Sequence, residues 1–266
     1  MATAAAATTG IVIDLQTEAG KLAPGLGALP ELTEAERGAA IATWRGRMVN
    51  ETISARVFAV VLEQALAAGL DGTWLRRIGD AIGDELRHGR ACAAVVVALG
   101  GEARAEIAAL ATVPRHDDAG PVEALLRNAL SVGCLSETVA VALIGAERLR
   151  AGPASLQQTL SAILADEVQH AKLGWDLVET LLPTLDTAAR ARLDAYLEVA
   201  LRHLVAHELA HLPLGPAPSE QAEAVGVCDG GEARALFHAT LSDVIVPRLE
   251  QLGLAAQVAW RRVAAA

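Results

Sequence analysis

The stretch Asp84-Glu85-Leu86-Arg87-His88 decides how this chain is read, because its essential letters return at Asp166-Glu167-Val168-Gln169-His170. In an α-helix a Glu and a His three positions apart lie on one face, one above the other, where both reach a single metal ion. Each copy therefore offers half of a dinuclear site. The rest of the chain is expected to bring the halves together.

The first copy lies in a periodic stretch from Thr73 to Leu99, with Ile78, Ile82, Glu85, His88, Cys92 and Val95 on one stripe and Gly100-Gly101 after it. The stretch before it opens at Thr33, which with Glu36 has capping-box form, and continues to about Ala68. Trp44, Met48, Glu51, Ala55, Phe58 and Leu62 recur along it, so one acid sits in an apolar seam. The second copy lies in about Ala154 to Leu182, between Gly152-Pro153 and Pro183, and the helix before it runs from Pro121 to Arg150 with Leu126, Leu130, Gly133, Glu137, Val141 and Ile144 on its stripe. A long connection, residues 101–120, joins the two pairs and is expected to hold a short helix near Ala103 to Leu110.

The acids are placed symmetrically about the turns. Glu51 and Glu85 are 34 residues apart with midpoint 68, beside Gly69, and Glu137 and Glu167 are 30 apart with midpoint 152. Residues equidistant from the turn of an antiparallel helix pair become level, here about 25 Å from it at 1.5 Å per residue. Glu51 should face Glu85 and His88, and Glu137 should face Glu167 and His170. If the connection crosses the length of the bundle, all six side chains share one layer. Four carboxylates left charged in an apolar core would each cost several kcal/mol; two divalent cations balance them, and neutral imidazoles complete the shells.

These residues resemble the ferritin-like di-iron carboxylate superfamily, whose bundle takes one Glu from each of two helices and Glu-x-x-His from each of the other two. The resemblance covers about residues 33–182. It implies Glu51, Glu85, His88, Glu137, Glu167 and His170 as ligands of two iron ions, with manganese and iron together, or another divalent metal, as the alternative. In bacterial multicomponent monooxygenases of this superfamily the motif is Asp-Glu-x-Arg-His, and its Asp orients the opposite half's His. Asp84 and Asp166 match that Asp; Arg87 matches the Arg in the first copy only, Gln169 replacing it in the second. The ligand chemistry by itself suits Fe, Mn or Zn, so iron comes from the resemblance.

Composition frames the same picture. The 266 residues are 53% hydrophobic and 3% aromatic, rich in strong helix formers, which favours an all-α protein. The expected layout is an irregular lead-in over 1–32, a four-helix di-metal bundle with one long crossover over 33–182, and additional C-terminal helices over 183–266, all in one domain. Those last helices are expected over about Asp186 to His211 and about Gly231 to Val263, with Pro247 kinking the second. A net charge of -10 argues against a nucleic-acid surface. No secretory signal is read, and apolar runs such as Ala91 to Leu99 are too short for a bilayer. The odd, scattered Cys92, Cys134 and Cys228 suit a reduced cytoplasm.

The resemblance implies an O2-using oxidase or oxygenase acting on a small organic substrate, supplied by an electron donor; a homodimer is left open. About 80 residues follow the fourth helix, which disfavours ferritin-type storage, yet a ferroxidase or iron-handling role stays as an alternative. Paired CxxC motifs of rubrerythrins are missing, Tyr196 is the only tyrosine and lies outside the four helices, and Ile163 stands where p-aminobenzoate N-oxygenases carry a further His. Gly89, Gly133, Ala140, Ala171 and Gly174, near the ligands, either leave room for substrate or let helices pack closely. A second alternative is a zinc hydrolase built on His207-Glu208-Leu209-Ala210-His211, with Glu232 or Glu250 as third ligand. With His203, these histidines form an i, i+4, i+8 stripe.

Overall fold

A two-stranded ribbon joins the lead-in to part of the crossover. Ile11–Asp14 (β1) pairs antiparallel with Arg104–Ile107 (β2), Ile11 opposite Ile107 and Asp14 opposite Arg104. The short helix expected near Ala103 to Leu110 is therefore corrected to a strand over Arg104–Ile107. Its side chains alternate between exposed and half-buried, and its backbone finds partners across the ladder that a single isolated helical turn would lack. Leu15 N–H donates to the Ala103 carbonyl at 2.9 Å, and Ala103 N–H to Gln16 Oε1 at 2.7 Å, so the ribbon is tied at that end as well. The computed structural model describes residues 10–107, 110, 112–212 and 214–265; Ala108 and Ala109, part of the expected helix, lie outside the described residues.

All other regular elements are helical. After β1 come α1 (Gln16–Leu22) and a 3-10 turn (Ala23–Leu26), followed by α2 (Glu34–Ala67) and α3 (Gly72–Ala98). The capping box forms: Thr33 Oγ1 accepts from the Glu36 N–H at 3.3 Å, and the Glu36 carboxylate accepts from the Thr33 N–H at 2.9 Å. Gly69 takes φ +74° in the turn, and Asp71 caps α3 by accepting from the Thr73 N–H at 2.8 Å. Helices α2 and α3 make the most extensive helix pair of the chain.

The crossover runs the length of that pair. It leaves α3 where Arg37 Nη1 donates to the Leu99 carbonyl, and it arrives where Gln64 Nε2 donates to the Arg115 carbonyl and Asn128 Nδ2 to the Pro114 carbonyl. Residues 37 and 64 lie at opposite ends of α2, roughly 40 Å apart at 1.5 Å per residue.

The third long helix departs from the continuous α-helix expected from Pro121 to Arg150. It consists of α4 (Pro121–Asn128), a π-helical segment (Ala129–Ser136) and α5 (Glu137–Arg150). Stripe-counting at 3.6 residues per turn does not register one added residue per turn over so short a span. Gly133, in the π segment, touches Gly174 of α6 (Ala154–Leu181) backbone to backbone; a Cβ on Gly133 would lie 2.5 Å from the Gly174 Cα. Gly89 is also spent on packing, since a Cβ there would meet Thr52 Oγ1 at 2.8 Å. These glycines close helix pairs and leave no room beside them. Gly133→Ala is accordingly expected to cost about 3 kcal/mol, at the upper end of overpacking penalties, read as a fall in thermal midpoint of the order of 10 °C. A midpoint unchanged by that substitution would show that the two backbones do not need to touch.

Beyond α6, α7 (Thr187–His211, capped by Asp186) is followed by α8 (Glu220–Ala224), α9 (Gly230–Thr240), a π turn (Leu241–Ile245), α10 (Val246–Gln251) and α11 (Ala256–Ala264). Thus the expected final helix over Gly231 to Val263 is divided twice. Pro247 lacks an N–H and its ring crowds the preceding turn, which widens into the π segment before it; Gly253, at φ +79°, stops α10. Phe237, Leu241, Ile245 and Leu249 are fully buried in one core with Leu126, Leu130, Trp175, Leu193 and Leu197. The C-terminal helices thereby share their apolar interior with α4, α6 and α7. By length and composition Pro121–Arg150 is apolar enough to cross a membrane, yet it buries Glu123, Arg127, Asn128, Glu137 and Glu147 and is a core helix here.

Candidate metal centre

The six singled-out side chains arrive in one layer from four helices. Glu51 comes from α2, Glu85 and His88 from α3, Glu137 from the first turn of α5 directly after the π segment, and Glu167 and His170 from α6. They form two overlapping sets, Glu51–Glu85–His88–Glu167 and Glu85–Glu137–Glu167–His170, in each of which one ligand atom per residue lies within 4.8 Å of all the others. Glu85 and Glu167 belong to both sets, and each of the remaining four residues belongs to one. Glu85, His88, Glu167 and His170 are 1–2% exposed; the Glu51 side chain, at 15%, is the one that solvent reaches.

Each imidazole is held from the far side by the other copy of the motif. His88 Nε2 donates to Asp166 Oδ2 at 3.0 Å, and His170 Nε2 to Asp84 Oδ2 at 3.3 Å. A carboxylate only accepts, so both rings carry the proton on Nε2 and turn Nδ1 toward the cluster. His88 Nδ1 lies 3.2 Å from Glu167 Oε1 and 3.5 Å from Glu51 Oε2, and His170 Nδ1 lies 3.3 Å from Glu85 Oε1. Arg87 accounts for the difference between the two copies. Its Nη2 sits 2.7 Å from Asp84 Oδ1 and 2.9 Å from Asp166 Oδ2, so one guanidinium serves both aspartates and Gln169 need not supply a second.

The electrostatics of the protein groups alone are unbalanced. Burial pushes the Glu85 carboxyl up to about 8, against a hydrogen bond with His170 that pulls it down. Burial, with Glu167 opposite, pushes Glu137 well above the carboxylate range. Glu167 is held below that range despite its own burial, because Glu137, His170 and His88 surround it with donors. Burial would lower the His88 pKa, but Glu167 and Glu51 override it and raise it to about 11; the same contest leaves His170 raised to about 10, with Glu167 and Glu85 as partners. Protons are thus drawn in to offset carboxylate charge, the task a bound cation performs better.

Two buried atoms test whether a metal suits the site. Glu85 Oε2 and His88 Nδ1 are buried atoms without a hydrogen-bond partner of good geometry. Orphaned buried polar atoms are costly, and both belong to residues of the ligand sets. Oxygen-rich donors with one imidazole in each set fit Fe, Mn or Zn, and each ligating His has the outer carboxylate partner that metal-bound imidazoles usually have.

Sequence reasoning missed one neighbouring pair. Arg47, one turn before Glu51, makes a short ion pair with the buried Glu147 of α5, 100 residues away. Nothing local in sequence signals it. Phe58, whose ring centroid is 5.3 Å from that of His170, was visible only as a member of the α2 stripe. Cys92 and Cys134 are fully buried, and burial raises both thiols well above their ordinary range, so neither supplies a thiolate.

The His-Glu-x-x-His stretch lies elsewhere, at the end of α7. His207 and His211 share a face, but neither proposed third ligand joins them: Glu232 pairs with Arg150, and Glu250 Oε1 accepts from the Gln257 N–H at 2.6 Å. Among the described residues no third His, Cys, Asp or Glu completes a set there. Pro213, expected to cut that helix off, lies outside the described residues. Compared with protein-family models, with curated proteins and with solved structures, the chain matches none.

Proposed function

We propose that this chain is a ferritin-like di-iron protein of the cytoplasm that uses O2 to oxidise a small organic substrate, drawing electrons from a separate donor. One observation carries the reading: two ligand sets share Glu85 and Glu167, and the outer nitrogen of each imidazole is held by the aspartate of the opposite copy. Iron bound there would supply the redox chemistry of O2 activation.

The protein's own contribution is charge balance, orientation and dryness. Glu51, Glu85, Glu137 and Glu167 would neutralise two divalent ions, which explains four acids in one apolar layer. Asp84 and Asp166 keep His88 and His170 in the Nε2–H tautomer, so that their Nδ1 atoms stay aimed inward, and Arg87 ties the two aspartates together with one guanidinium. Phe58, buried against the His170 ring, helps keep the layer dry, leaving the more exposed Glu51 side as the approach for substrate and O2.

Metal analysis after expression with iron tests the proposal, with about two irons per chain expected. Fe(II) and O2 supplied in excess should give O2 consumption that depends on added reductant and organic substrate; growth of a large mineral core would instead make the chain a ferroxidase. Asp84→Ala and Asp166→Ala should each weaken iron binding by about 10–100-fold without unfolding the protein, as measured by competition with a chelator. Affinities equal to wild type in both variants would remove the orienting role of the aspartates.

A further inference from the structure

The histidine stripe of α7 is not used by the reading above, and it has a geometry of its own. His203, His207 and His211 are exposed and succeed one another at one-turn intervals. The rings of His207 and His211 are the closer pair, with centroids 4.6 Å apart and planes inclined at 51°, whereas those of His203 and His207 are 6.2 Å apart and nearly parallel. Two imidazoles at i and i+4 that already face one another at this distance are a two-toothed chelate for one cation.

The tautomer of His211 is fixed by its surroundings. Its Nδ1 lies 2.7 Å from the His207 backbone carbonyl, which only accepts, so Nδ1 is the protonated nitrogen and Nε2 presents a free lone pair to solvent. A ligating His commonly donates its second nitrogen to such a carbonyl. The last carbonyls of α7 do not compete for this ring, because Arg234 donates to Leu209 and Leu212. Glu208, although three residues before His211, does not complete a set of ligand atoms with the two imidazoles, so the donor set is nitrogen only.

We propose that His207 and His211 chelate one Cu(II)-, Ni(II)- or Zn(II)-class ion on the exposed face of α7, independently of the buried centre. All-imidazole donors select borderline cations at the upper end of the divalent series, while the oxygen-rich buried set serves iron or manganese; one chain thus separates two classes of metal by ligand type. With two protein ligands the ion retains solvent at its other positions and exchanges freely. A hydrolase needs a third protein ligand that this face lacks.

Cu(II) titrated into the full chain and followed by electron paramagnetic resonance tests the assignment. The wild type should show one Cu(II) coupled to two nitrogens. His207→Ala and His211→Ala should each weaken binding on the order of 100-fold, since the second ligand acts at high effective concentration, and the double variant should lose the signal. His203→Ala should leave it unchanged, as should Glu85→Ala, which disrupts the buried cluster and so keeps this test separate from the iron reading. A two-nitrogen signal that survives in the double variant, or that disappears with Glu85→Ala, overturns the proposal.

Discussion

Glu85→Ala and Glu167→Ala should each empty the whole metal cluster, whereas Glu51→Ala and Glu137→Ala should each leave one position filled. The difference follows from membership: Glu85 and Glu167 belong to both ligand sets, and Glu51 and Glu137 to one apiece. Losing a bridging carboxylate strips a ligand from each ion and also leaves a divalent pair with too little negative charge between them. Elemental analysis should therefore give about zero metal per chain for the bridging variants and about one for the flanking variants, against about two for wild type. Substrate-dependent O2 consumption should fall by about three orders of magnitude or more in all four, roughly 4 kcal/mol of lost barrier reduction, since a single ion cannot do the work of the pair. Retention of one ion by Glu85→Ala would place the bridge elsewhere.

The second large effect concerns stability, and it runs opposite to function. Glu137 is 5% exposed and its carboxyl is forced toward the neutral form by burial and by Glu167. Replacing a buried, strained ionic group with an apolar side chain of similar size is often stabilising by about 1–4 kcal/mol. Glu137→Leu should then make the chelator-treated protein more stable than chelator-treated wild type. Metal reverses the order for wild type, because a ligand at a thousandfold excess over its dissociation constant contributes about 4 kcal/mol. The expected ranking of thermal midpoints is chelator-treated wild type lowest, chelator-treated Glu137→Leu above it with a smaller rise on adding iron than wild type shows, and iron-loaded wild type highest, spanning about 10 °C. A Glu137→Leu protein less stable than chelator-treated wild type would mean that the hydrogen bond between Glu137 and Glu167 outweighs the cost of burying the carboxyl.

The parts of the fold that were legible in sequence are those specified locally. Thr33 with Glu36, Asp71, Gly69 and Asp186 each act on their own backbone within a few residues, so their letters suffice to place helix ends. The layer of six side chains was legible for a different reason: equal helix arms about Gly69 and Gly152 fix which residues become level, whatever the side chains between them. What escaped depends on distant partners. Arg104–Ile107 is a strand only because Ile11–Asp14 lies beside it. The π segment before Glu137 goes with the contact of Gly133 and Gly174, residues that are 41 apart and carry no side chain to advertise it. Arg47 and Glu147 meet across two helices with nothing in either neighbourhood to announce the pair.

The crossed aspartates have one further consequence. Asp84 travels with α3 but secures the imidazole of α6, and Asp166 travels with α6 but secures that of α3. Neither hairpin can mature a half-site alone, however well it folds, because the part that aims its histidine is carried by its sibling. Metal uptake, under the proposed function, would thereby become a proofreading step on assembly: a chain whose hairpins are mispaired, swapped or separated by proteolysis in the 101–120 crossover would hold its carboxylates but leave both rings free to turn away. Under the proposed function, the interlock would tie redox competence to correct docking and would keep half-built protein from handling iron in the presence of O2.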